Sequence, residues 1–185
     1  MTGYGSVSFA WAAVIMICLV YAAFCDIAVR LIPNSISVAV ASLAVPLRLV
    51  DHQLIQGLLV ALLVFAILTF AWFFRLIGGG DVKLWSACTL LVPPRWLDQG
   101  AFAVRVMLVG GIVGLLYLIL RWGIRLKEWR SARTGESPLH RSHDRAWLRR
   151  IWRVERWRAR HGGSIPYGVA IAASACLTLW PQLPR

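Results

Sequence analysis

Two aspartates, Asp26 and Asp81, are the residues of this chain whose type and position best fit chemistry. Each adjoins a long apolar run, where a carboxylate is costly unless it faces a protein interior or a water-filled cavity. Two carboxylates that share a site do not both ionise readily, so one keeps a proton near neutral pH. The ionised one can then activate a water while the protonated one polarises a carbonyl, as in aspartic proteases. This chemistry requires no metal and no cofactor.

The residues around Asp81 favour a site over a structural role. Three glycines precede it at 78–80, and we expect them to break the helix, to adopt backbone conformations with positive φ, and to admit a second chain closely. The structural alternative is that each aspartate pairs with a cation one turn away, Arg30 or Lys83, and merely anchors its helix at the membrane interface.

The elements that must position these aspartates are membrane helices. The chain is 59% hydrophobic and 15% charged, whereas a soluble domain carries about 25% charged residues. Because backbone groups in lipid must satisfy their own hydrogen bonds, the apolar runs are predicted to be helical. We therefore expect an all-α integral membrane protein, one polytopic domain with about six transmembrane helices, at residues 7–25, 34–50, 54–74, 82–97, 101–120 and 165–180.

The distribution of basic residues predicts the orientation of these helices. A basic loop at 121–162 separates spans five and six, and 13 of the 20 Lys and Arg lie between residues 121 and 160. With the N-terminus outside, 16 basic residues face the cytoplasm and 3 or 4 face outward, as the positive-inside rule requires. Asp26 ends span one and Asp81 follows span three, so both are expected at one depth on the cytoplasmic side.

Four motifs along the chain resemble those of the prepilin (type IV leader) peptidase family of GxGD aspartic proteases. They are Gly78-Gly79-Gly80-Asp81, the Asp26 segment with Arg30 and Ile32-Pro33-Asn34, Lys83-Leu84, and Ile165-Pro166-Tyr167-Gly168. The resemblance implies a catalytic dyad of Asp26 and Asp81 without a cofactor or metal. The residues it implies for active-site support and substrate docking are Gly78, Gly80, Lys83, Arg30, Pro33, Asn34, Pro166 and Gly168.

The same resemblance implies an enzyme of the bacterial inner membrane that removes the basic leader peptide from prepilins at the cytoplasmic face. The chain looks like the short branch associated with Flp/Tad-type pili, because it has no paired CxxC motifs. Larger members with those motifs also N-methylate the new terminus, so methylation stays open here.

The stretch from Asp144 to Arg160 has a broad face of Trp, Leu, Ile and Val and an opposite face of Arg. Such a basic amphipathic helix is predicted to bind anionic lipids, with the pilus-assembly machinery as an alternative partner. Nucleic acid is not expected, since no motif supports it. Two other functions stay open for the whole chain, a non-catalytic assembly protein of the pilus or secretion apparatus and a small proton-coupled transporter.

Overall fold

A computed structural model describes residues 9–134 and 167–180 of the chain. In this part of the chain the secondary structure is entirely helical. Six helices follow one another, α1 (Phe9–Val29), α2 (Asn34–Val50), α3 (Leu54–Phe73), α4 (Gly79–Leu91), α5 (Trp96–Thr134) and α6 (Tyr167–Leu179).

The chain divides into two compact units. The first consists of Met1–Gly110 and Pro166–Arg185, and the second of Gly111–Ile165. Within its described residues the first unit holds α1 to α4, the first part of α5, and α6. The second unit holds the remainder of α5. Both aspartates belong to the first unit.

Helix α4 is the centre of the first unit. It packs against α2, α3 and α6, while α1 packs against α6 and α2. Eight of its 13 residues are buried, and its apolar side chains join those of α1, α2 and α6 in one hydrophobic core. Asp81 lies in the first turn of this central helix, so its position is determined by the core of the unit.

The outward faces of the helices are apolar. Large side chains such as Ile17 of α1 and Leu62 of α3 are well exposed, and in α3 only Gly57 and Leu68 are buried. Three segments are long and apolar enough to cross a membrane, Ala10–Val29, Leu54–Phe73 and Trp96–Ile119. This architecture is compatible with a helical membrane protein, in which lipid covers the outward faces.

Three helices end at a residue with positive φ that is not glycine. These residues are Arg30 after α1, His52 after α2 and Arg75 after α3. At the end of α3 the N–H of Leu76 donates to the carbonyl of Ala71 at 3.1 Å, which is the hydrogen bond of a Schellman motif. The left-handed residue reverses the chain within a few positions, so the next helix can return antiparallel.

The C-terminal end of α4 is capped by side chains from two other helices. Arg48 of α2 is 0% exposed, and its guanidinium donates to the carbonyls of Leu90 and Leu91 at 3.0 and 2.9 Å. The side-chain amide of Gln99 in α5 donates to the carbonyl of Val92 at 3.0 Å. Arg48 is one of the basic residues counted on the outer side, and it is buried within the protein, because α4 ends early and its last carbonyls need donors.

The helix bounds differ from the predicted spans mainly around α4. The fourth helix begins at Gly79 rather than at 82 and ends at Leu91 rather than at 97. The fifth begins at Trp96 and continues to Thr134, so residues 121–134 of the predicted basic loop are helical. The stretch from Asp144 to Arg160 lies outside the described residues.

Candidate active site

Asp26 lies in the last turn of α1 and is buried, with 6% of its surface exposed. Its Oδ2 atom accepts a hydrogen bond of 3.3 Å from the backbone N–H of Val169. That donor belongs to the first turn of α6, where the helix dipole stabilises negative charge. Gly168 makes this approach possible, because a Cβ atom there would lie 2.9 Å from the same Oδ2 atom.

Asp81 lies in the first turn of α4, three residues after the N-cap residue Gly78. Burial, followed by repulsion from Asp26, raises the pKa of the Asp81 carboxyl from 3.8 to about 7. A hydrogen bond with the Gly78 backbone and the nearby charge of Arg30 act in the opposite direction and lower this pKa. The two carboxyls are therefore near enough to interact, and near neutral pH the site can carry a single proton.

Two basic residues adjoin the carboxyls in different ways. Arg30 follows α1 directly, its φ is 59°, and its charge acts on Asp81. Lys83 of α4 donates from Nζ to Oδ1 of Asn34 at 2.9 Å. This exposed hydrogen bond joins Lys83, two residues after Asp81 in α4, to the first residue of α2.

The glycines before Asp81 provide space rather than unusual backbone angles. The expectation of positive φ is wrong, since Gly78 has a φ of −72° and neither Gly79 nor Gly80 adopts a positive φ. The expectation that they break the helix also needs correction, because α4 begins at Gly79. A Cβ atom at Gly78 would lie 2.9 Å from Oδ2 of Asp81, so even one methyl group there crowds the carboxyl.

Most of the predicted site residues lie at one end of the first unit. These are Asp26, Arg30, Asn34, Gly78, Gly80, Asp81, Lys83 and Gly168, held by the ends of α1, α2, α4 and α6. Pro33 is the exposed N-cap residue of α2. Pro166 lies outside the described residues.

Two participants in this site were not predicted. One is the N–H of Val169, which any residue type could supply. The other is the side chain of Ile32, which packs beside Gly80 and Gly168. Ile32 belongs to the motif that follows Asp26, but its contacts with these two glycines could not be read from the sequence.

Comparison with known proteins identifies the family of this chain. The model of the type IV leader peptidase family matches residues 13–119, which is more than half of the 185-residue chain and includes both aspartates. No curated protein and no solved structure gives a match. The motifs and the family model agree, and the chain belongs to the type IV leader peptidase family.

Proposed function

We propose that this protein is an aspartic endopeptidase that removes the basic leader peptide from type IV or Flp-type prepilins at the cytoplasmic face of the bacterial inner membrane. The family match supports a leader-peptidase-type protease in general. The observation that carries the finer proposal is the interaction of the two carboxyls: partial burial of Asp81 and then repulsion from Asp26 raise the pKa of Asp81. A transporter or a non-catalytic assembly protein gains no comparable support from the family.

The surroundings of the two carboxyls favour different roles. Asp26 accepts the N–H of Val169 at the start of α6, which suits an ionised general base. The pKa of Asp81 is about 7, so this carboxyl retains its proton for much of the time near neutral pH and suits a general acid. Our assignment is therefore Asp26 as the base and Asp81 as the acid.

The proposed reaction is hydrolysis without a covalent intermediate. Asp26 takes a proton from a water while the water oxygen attacks the carbonyl carbon of the scissile peptide bond. Asp81 donates its proton to the carbonyl oxygen, which yields a tetrahedral diol. When the C–N bond breaks, a diol hydroxyl returns its proton to Asp81 and Asp26 protonates the leaving amine. Both carboxyls then regain their starting states.

Space for the substrate would come from the start of α4. A scissile peptide must be extended, because a helical segment engages its carbonyls in its own hydrogen bonds. Gly78 is exposed and Gly80 is partly exposed beside Asp81, so backbone can approach the carboxyl on this side. Lys83 and Asn34 form an exposed polar pair between α4 and α2. We propose that this pair contacts substrate residues on one side of the cleaved bond.

Cleavage of a prepilin by aspartate variants tests the proposal directly. Asp26→Asn and Asp81→Asn should each abolish leader removal when co-expressed with a prepilin, scored by gel shift and by the mature N-terminus. The matched control is Asp98→Asn in the first turn of α5, which should cleave like the parent. Substantial cleavage by either dyad variant, with membrane insertion intact, would contradict the aspartic mechanism.

A further inference from the structure

One apolar side chain, Ile32, packs against the backbone beside both aspartates. A Cβ atom added at Gly168 would lie only 2.7 Å from Cδ1 of Ile32, and also 3.0 Å from Cγ of Asp26. A Cβ atom added at Gly80, the residue before Asp81, would lie 3.3 Å from Cβ of the same isoleucine. Contacts this tight mean that both glycine backbones rest directly on Ile32.

The connection between α1 and α2 directs this side chain inward. Arg30 has a φ of 59° and reverses the chain directly after α1. The next residue, Leu31, is 70% exposed, whereas Ile32 is partly buried and packs against the hydrophobic core. Pro33 is the N-cap residue of α2, and its carbonyl accepts the N–H of Ile36 at 3.1 Å.

Isoleucine suits the role of a rigid spacer. Its branched Cβ restricts χ1 to few rotamers, so both γ carbons, and with them the atom to which Cδ1 is attached, hold defined positions relative to the backbone. The Cδ1 end faces the glycine beside Asp26 and the Cβ end faces the glycine before Asp81. A shift of either helix end toward the other must compress this side chain, because protein interiors are close-packed.

We infer that Ile32 is a positioning residue that sets the separation of the Asp26 and Asp81 carboxyls. This inference rests on the proposed protease function. Ile32 does not touch the reacting atoms in this assignment; it acts by holding the start of α4 and the start of α6 at a defined distance.

The test compares substitutions at Ile32 with the same substitutions at its exposed neighbour. Steady-state cleavage of a prepilin is measured with purified protein in lipid nanodiscs, together with thermal unfolding. A misplacement on the order of 1 Å can cost about 100-fold in rate, so Ile32→Ala should lower kcat by roughly 10- to 100-fold while KM changes by less than about threefold. Leu31→Ala should match the parent in both constants.

A second pair of variants addresses a general effect of large-to-small substitutions, which can lower activity by destabilising the fold. Ile32→Val deletes Cδ1, the atom that a Cβ at Gly168 would overlap. Gly168→Ala alone should lose most of its kcat, and the double variant Gly168→Ala with Ile32→Val should regain only part of it, because the new Cβ would still lie 2.9 Å from Oδ2 of Asp26. Leu31→Val combined with Gly168→Ala should give no recovery.

Two results would overturn the inference. One is a kcat for Ile32→Ala within about twofold of the parent; the other is a kcat for Leu31→Ala that falls as far as the kcat for Ile32→Ala. Failure of the proposed function looks different, because the parent itself would then leave prepilin uncut or the Asp→Asn variants would cleave it. A parent that cleaves, with inactive Asp→Asn variants and an unaffected Ile32→Ala, contradicts the positioning role alone.

Discussion

At the scale of the residue, the two aspartates have the same chemistry but different surroundings. Asp26 is almost fully buried and accepts a backbone N–H from α6. Asp81 is less enclosed, yet burial and the charge of Asp26 outweigh the opposing effects of Gly78 and Arg30 on its pKa. This difference in surroundings favours Asp26 as the base and Asp81 as the acid.

The first prediction at this scale concerns pH. If protonated Asp81 is the acid, kcat should fall about tenfold for each pH unit above about 7, because its pKa is about 7. The same proton affects stability. The folded pKa exceeds the ordinary value of 3.8, so this contribution to the free energy of unfolding is complete below 3.8 and is lost as the pH rises through about 7.

Both parts of the pH prediction have a control. In Asp98→Asn the decline of kcat and the decline of stability should persist, whereas Asp81→Asn should remove the stability component between 3.8 and about 7. A cleavage rate that stays constant from about pH 6 to about pH 9 would contradict the assignment of Asp81 as the acid.

The second residue-scale prediction concerns the glycines before Asp81. Gly78→Ala should lower kcat by about 10- to 100-fold, because the new Cβ would lie 2.9 Å from Oδ2 of Asp81. Gly79→Ala is the matched control and should stay within about threefold, since its Cβ would meet only the indole of Trp72 at 3.3 Å. Gly80→Val should also abolish most of the cleavage activity, because its side chain would press against Ile32, whose Cβ lies 3.3 Å from the position of a Cβ at Gly80. Equal activity for Gly78→Ala and Gly79→Ala would show that space beside the carboxyl is not limiting.

At the scale of the element, α4 is a short helix that must carry Asp81 at a defined depth. Its 13 residues rise about 20 Å at about 1.5 Å per residue, less than the hydrocarbon core of about 30 Å. Its last carbonyls would be left without donors in an apolar setting if Arg48 and Gln99 did not reach them. A buried arginine is thus the means by which α4 ends early.

The prediction for this element is a loss of stability without a direct chemical effect. Arg48→Leu should lower the free energy of unfolding by about 3 kcal/mol, since buried carbonyls lose charged donors and Asp51 loses its partner at 3.3 Å. Arg95→Leu is the control, because Arg95 is exposed and surface substitutions usually change stability by less than about 0.5 kcal/mol. Thermal or denaturant unfolding in detergent measures both. Equal stability of the two variants would mean that the cap on α4 contributes little.

At the scale of the whole molecule, six described helices with an apolar exterior are compatible with a membrane protein. Three of them are long and apolar enough to cross the bilayer. The proposed arrangement adds crossings by α2, α4 and α6, with the N-terminus outside. That arrangement places the ends that carry both aspartates on the cytoplasmic side, where a prepilin leader is found.

Cysteine labelling tests the orientation and the crossing of α4 together. In a variant with all four native cysteines replaced, a membrane-impermeant maleimide added from the periplasmic side should label Arg95→Cys after α4 but not Leu76→Cys before it. Both positions are exposed. The reverse pattern would invert the orientation, and labelling of both from one side would show that α4 does not cross. Leader cleavage by each variant serves as the control for folding.

The helical class, most helix positions and the family could be predicted from the amino-acid sequence alone. The length of an apolar run is a local property, and the predicted span 34–50 coincides with α2. The end of α4 differs from the predicted bound, because side chains of α2 and α5 cap its last carbonyls. The ordered motifs were sufficient to identify the family that its model confirms. The burial of Arg48, the space left by the glycines, and the position of Ile32 between Gly80 and Gly168 became evident in the three-dimensional structure. These features depend on the packing of helices distant in sequence, and hydropathy and spacing do not encode which side chain meets which backbone.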